Sequence, residues 1–107
     1  MRNRRRRKNE LFFQDVVMDE ITELGDTLIR KQIDYGPNAI SRFGLDGIII
    51  RINDKVERLI NLSELKKDPE VDESLEDTLR DIAGYAILGL MVHRGDFPLP
   101  IKQKETK

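Results

Sequence analysis

The chain has 107 residues and a mass of 12.5 kDa, enough for one domain. With no cysteine, it excludes a disulfide framework, a zinc–thiolate site and a cysteine nucleophile. Its 38% hydrophobic content is too high for a disordered chain, and its 36% charged content suits helices with wet faces.

The net charge of −1 conceals a split. Arg2, Arg4, Arg5, Arg6, Arg7 and Lys8 hold six of the 19 basic residues, which leaves 13 against 20 acidic residues in the rest. A basic tail over residues 1–9 is therefore expected to precede an acidic body. Such a body does not favour nucleic acid over a broad surface; the tail is the one expected point of nucleic-acid contact. No segment approaches the roughly 18 consecutive apolar residues of a membrane span. Asp15, Asp19 and Glu20 interrupt the stretch that would have to serve as the apolar core of a signal peptide. A cytoplasmic location and no membrane partner are the expectations.

Taken in chain order, the apolar periodicity predicts three helices. The first spans about 10–33, with Leu11, Val17, Ile21, Leu24, Leu28, Ile29 and Ile33 on one side and acidic residues on the other. Tyr35-Gly36-Pro37-Asn38 ends it. Residues 39–47 read as a short irregular stretch with Phe43 as a core anchor. The second helix spans about 48–62 and carries Ile48, Ile49, Ile52, Val56, Leu59 and Ile60. A short strand at Gly47–Ile50 is the alternative. A polar loop over 63–72 follows. The third helix spans about 73–93, with Ser74 and Asp77 resembling a capping box and Asp72 as a competing cap. From Ile82 to Val92 this helix has no charged residue, so it is expected to be buried all round. Three short helices cannot cover it. The expected fold is therefore all-α: a small helical bundle of about three main helices over residues 10–97, completed by homo-oligomerisation, with a charged tail over 98–107.

Four groups of side chains have the chemistry for a site. Glu20, Glu23 and Asp26 recur every three residues on the first helix, and Asp77 and Asp81 lie one turn apart on the third. Carboxylates converging from two helices suit magnesium, an oxygen-seeking ion that activates water and holds phosphates. Each set also reads as a solvated face. Arg51, Asp54, Lys55 and Arg58 share one face of the second helix. Arginine is suited to bidentate phosphate contacts and lysine to a point-charge contact. The plainer readings are salt bridges from Asp54 to Arg51 and Arg58, or pairing of Lys55 or Arg58 with Asp77 or Asp81 across the helix interface. Asp34-Tyr35-Gly36 is either a base-stacking position or simply a helix stop. His93, the single histidine, makes a poor case for a triad or a metal site. No Walker-type loop, GxGxxG, HExxH or GxSxG motif occurs.

The strings Asp34-Tyr35-Gly36, Arg51-x-x-Asp54-Lys55-x-x-Arg58-Leu59 and Glu73-Ser74-x-Glu76-Asp77-Thr78, followed by Asp81 and Tyr85, occur in an order that resembles the nucleotide-modification-associated domain, type one, a family of small phage and bacterial proteins. The likeness covers roughly residues 31–97. It implies phage nucleotide metabolism or base modification, in the host cytoplasm, without a settled reaction. A looser likeness exists to the all-α nucleotide pyrophosphohydrolases of the MazG type. Those carry an E-x-x-E pair and an E-x-x-D pair around magnesium. Glu20-x-x-Glu23 fits the first pair. The second is not matched, because Asp77 and Asp81 are four apart and Glu73-x-x-Glu76 ends in Glu.

These readings set the expectations. The ligand is a nucleotide or a nucleotide-derived molecule, contacted by Asp34, Tyr35, Arg51, Lys55, Arg58 and Tyr85. Asp77 and Asp81 are the candidate catalytic residues. Magnesium is the expected cofactor, held among Glu20, Glu23, Asp54, Asp77 and Asp81. Hydrolysis of a nucleoside triphosphate, sequestration of a nucleotide signal of host defence, and a purely structural interaction role stand as the three alternatives.

Overall fold

The computed structural model describes residues 11–102. The basic tail of residues 1–9 and the last five residues of the charged C-terminal stretch lie outside them. The described residues form helices and no strand. They belong to two compact units, one ending at Asp34 and the other beginning at Tyr35.

In the first unit, helix α1 runs from Phe13 to Tyr35, its last residue entering the second unit. Gly36, at a φ of 70°, follows it in a left-handed conformation that favours glycine. No residue of α1 is fully buried, and Met18, Ile21, Ile29 and Ile33 are all more than half exposed.

The second unit holds α2 (Asn38–Ser41), α3 (Gly44–Ser63) and α4 (Pro69–Arg94). The stretch expected to be irregular thus contains a short helix and the first turn of α3. Phe43 is 65% exposed and is not a core anchor. It sits at the N-cap of α3, where the chain turns from one helix into the next. The strand alternative at 47–50 does not form; the helical periodicity continues through it.

Helix α4 starts four residues before its expected start. Asp68 caps it: the backbone there is extended and a side-chain oxygen accepts from the Val71 N–H at 2.8 Å. Pro69 follows at the first helical position, where its missing N–H costs nothing. Ser74 and Asp72 therefore lie inside the helix. The Thr78 hydroxyl, buried, donates to the Ser74 carbonyl at 2.7 Å. Gly95 ends the helix at a φ of 80°, and the Asp96 N–H reaches back to the Met91 carbonyl at 2.8 Å. Removing the cap with Asp68→Ala is expected to lower stability by about 1 kcal/mol in chemical denaturation.

Helices α3 and α4 form an antiparallel hairpin. Early residues of α3 meet late residues of α4: a β-carbon added at Gly89 would lie 3.6 Å from both Leu45 and Ile48. That is ordinary van der Waals distance, so Gly89 has room for a methyl group. Gly47 differs, because a β-carbon there would lie 2.6 Å from the Phe43 β-carbon. Gly89→Ala is expected to raise stability by roughly 0.5–1 kcal/mol through helix propensity, and Gly47→Ala to lower it. Thermal melts of the two variants measure both signs. The hairpin core is thin: Ile48 and Leu62 are the buried hydrophobic residues among those described, with Thr78 beside them in burial.

Candidate functional site

The antiparallel register brings two pairs of polar side chains to the α3–α4 seam. Lys55 Nζ lies 3.0 Å from Asp81 Oδ2. One turn away, the Arg51 guanidinium carbon lies 6.0 Å from the centre of the Tyr85 ring. Arg51 and Lys55 are i and i+4 on α3; Asp81 and Tyr85 are i and i+4 on α4. The four side chains thus form two adjacent rungs of one ladder, which neither helix provides alone.

The rungs differ in what they leave available. Lys55 and Asp81 are about 30% exposed and neutralise each other. Their seam position restricts water, so the pair is held more firmly than one on an open surface. Arg51 is exposed and lies over an uncharged ring, at the outer limit of a cation–π contact. Its guanidinium plane is supported while its N–H edges remain free of a carboxylate. Arg58 and Asp54 lie further along the same side of α3, both exposed and without an ion-pair partner among the described residues. The salt bridges expected within α3, from Asp54 to Arg51 and Arg58, do not form. The expected cross-helix pairing does, as Lys55 with Asp81.

On α4, Asp77 is exposed and lies 3.4 Å from Arg80, which also meets Glu76 at 3.1 Å. Sequence reasoning passed over Arg80, although its i, i+4 relation to Glu76 marks an ion pair. The Arg80 Nε is buried without a hydrogen-bond partner. Asp77 and Asp81 thus share a side of α4, but each is held by a cation. Tyr35, 76% exposed, and Asp34 end α1. Glu20 and Glu23 lie on α1 and are half-buried, with one Glu23 carboxylate oxygen buried and unbonded.

Among the described residues, no three His, Cys, Asp or Glu side chains gather where one metal ion could be held. Within the second unit, Asp54, Asp77 and Asp81 do not form such a group. What the seam offers is of mixed charge: Arg51 open on its aromatic support, Lys55 paired with Asp81 within one turn, and Arg58 beyond with Asp54 on the same side. Guanidinium and ammonium groups in that array suit the charged oxygens of a phosphate. No described helix is long and apolar enough to cross a membrane.

A family model described as nucleotide modification associated domain 1 matches residues 31–92. No curated protein and no solved structure matches the chain. The matched segment contains both rungs of the ladder and excludes Glu20 and Glu23.

Proposed function

The chain belongs to the nucleotide modification associated domain 1 family, and from that premise we propose that it binds a nucleotide or a nucleotide-derived phosphate ligand at the α3–α4 seam. The observation that carries the reading is the pair of rungs Arg51–Tyr85 and Lys55–Asp81, which lie one turn apart inside the family-matched segment. Arg51 and Arg58 contact phosphate oxygens as bidentate donors. Lys55 adds a point charge and Asp81 fixes its position. Tyr85 supports the Arg51 guanidinium.

Binding without turnover is the form the carboxylates favour, since Asp81 is occupied by Lys55 and Asp77 by Arg80. A small protein of this kind would sequester a nucleotide, such as a signal of host defence. The second reading is magnesium-dependent hydrolysis of a nucleoside triphosphate, supported by Asp77 and Asp81 standing one turn apart on one side of α4. It requires both carboxylates to exchange their cations for the metal.

Mass spectrometry of a nucleotide panel incubated with protein and magnesium separates the two. The free pool is analysed first, then the fraction released from the protein by heat. Sequestration predicts an intact nucleotide in the bound fraction alone. Turnover predicts loss of a triphosphate with a matching product, abolished by Asp77→Asn and Asp81→Asn. A panel neither bound nor altered contradicts both readings.

A further inference from the structure

Three carboxylates lie near the cations of the seam, and they differ in what already holds them. Asp81 meets Lys55 at 3.0 Å, and Asp77 meets Arg80 at 3.4 Å. Asp54 is exposed and has no ion-pair partner among the described residues, although it stands one turn from Arg51 and one turn from Arg58 on the same helix. Of the three, it is the carboxylate that can meet a ligand without giving up a cation.

Its place on α3 decides what it meets. A helix turns about 100° and rises about 1.5 Å per residue. Taken from Arg51, Lys55 lies roughly 40° around toward buried Ile48, whereas Arg58 lies roughly 20° and Asp54 roughly 60° the other way. Lys55 is therefore on the core side of the line from Arg51 to Arg58, and Asp54 is on its outer side. Along the axis, Asp54 falls between the two arginines, about 4.5 Å from Arg51 and about 6 Å from Arg58. A ligand whose phosphate is held on that line, and whose body leads away from the core, passes Asp54. An ionised carboxylate accepts hydrogen bonds and donates none. It repels a further phosphate and attracts hydroxyl donors. In a nucleotide the group joined to the phosphate is the sugar, so the donors within reach are its hydroxyls. At dinucleotide-binding sites an acidic side chain accepts from a ribose hydroxyl in this way.

We propose that Asp54 determines the sugar specificity of the seam: it accepts a hydrogen bond from a ribose hydroxyl and so selects ribonucleotides over their deoxy counterparts. The inference rests on the seam as the phosphate site and adds the sugar to it. Asp54 then acts as a hydrogen-bond acceptor instead of the magnesium ligand expected from the sequence. Because Asp54 is exposed, a deoxy analogue leaves it hydrated rather than stranded, so the discrimination is modest, about 10-fold.

The test is isothermal titration of the full chain with the 5′-mono- and 5′-triphosphates of the common ribonucleosides, each against its 2′-deoxy and 3′-deoxy counterparts. The wild type is expected to bind the ribo form about 10-fold more tightly than at least one deoxy form. Asp54→Ala is expected to hold the two forms within about 2-fold of each other, with the deoxy form bound no more weakly than before, since a repulsive charge has gone. Asp54 is exposed and alanine favours a helix, so this variant keeps the fold. Glu57→Gln removes a carboxylate about 120° around α3 from Arg51 and is expected to keep the ribose preference. Equal affinity of the wild type for both forms, a preference that persists in Asp54→Ala, or one lost equally in Glu57→Gln would overturn the role of Asp54 while leaving the phosphate site standing. Failure of every nucleotide to bind would overturn the seam as a phosphate site, and the role of Asp54 with it.

Discussion

Arg51→Ala is expected to weaken nucleotide binding by roughly 10- to 100-fold while leaving the melting temperature within a degree or two. The first half follows from the loss of a charge-assisted, bidentate contact with phosphate, worth about 1.5–3 kcal/mol. The second follows from the setting of Arg51. It is exposed, makes no ion pair among the described residues, and touches Tyr85 only at the limit of a cation–π contact. Arg51→Lys separates charge from geometry. A lysine retains the attraction but loses the planar fork, so it should recover only part of the affinity. Isothermal titration with a nucleotide retained from the panel, alongside a thermal melt, measures both quantities. Affinity unchanged in Arg51→Ala would remove the phosphate contact from the seam.

The second large effect is on stability, at the neighbouring rung. Asp81→Ala is expected to destabilise the fold by about 1–2 kcal/mol, because it leaves Lys55 charged and unpaired in a restricted seam. Lys55→Met removes the other half of the pair and should also destabilise the fold. The double variant Lys55→Met/Asp81→Ala should recover much of the loss, since removing both charges also removes the unpaired group. Urea denaturation of the four proteins completes the cycle, with an expected coupling of about 1 kcal/mol. Additive losses would mean that the two side chains do not act as a pair. The same cycle bears on function. If Asp81 positions Lys55, Asp81→Ala should weaken nucleotide binding less than Lys55→Met does. If Asp81 instead holds a catalytic metal, turnover should vanish in Asp81→Ala whatever stands at 55.

The two helices of the hairpin are readable from spacing alone, because the α3 and α4 stripes keep helical periodicity over several turns; their antiparallel pairing is not. Arg51 and Lys55 also showed themselves as neighbours, being one turn apart. Their partners were harder to read. Periodicity states which residues share a face of one helix, but the residues opposite depend on the length of the connection. Here that length was misjudged. Lys66-Lys67-Asp68-Pro69 reads as a polar loop by composition, whereas Asp68 is a cap and Pro69 the first helical residue. The shorter loop sets the register that pairs Lys55 with Asp81. Asp77 stands out in the sequence as a carboxylate one turn from Asp81. It proves exposed and paired with Arg80. Phe43 was assigned to the core on hydrophobicity, yet it sits at a helix junction, where backbone geometry rather than burial governs its placement.

The most direct test of the account is an NMR titration of the protein with the nucleotide that it retains, following the Arg51 guanidinium Nε–H and the Tyr85 ring. The account predicts that both resonances shift saturably, with the same dissociation constant, and that the Tyr85 ring does not shift in Lys55→Met/Arg51→Ala at the same concentrations. Binding that leaves Arg51 and Tyr85 unmoved, while perturbing Glu20 and Glu23 of α1, would contradict it.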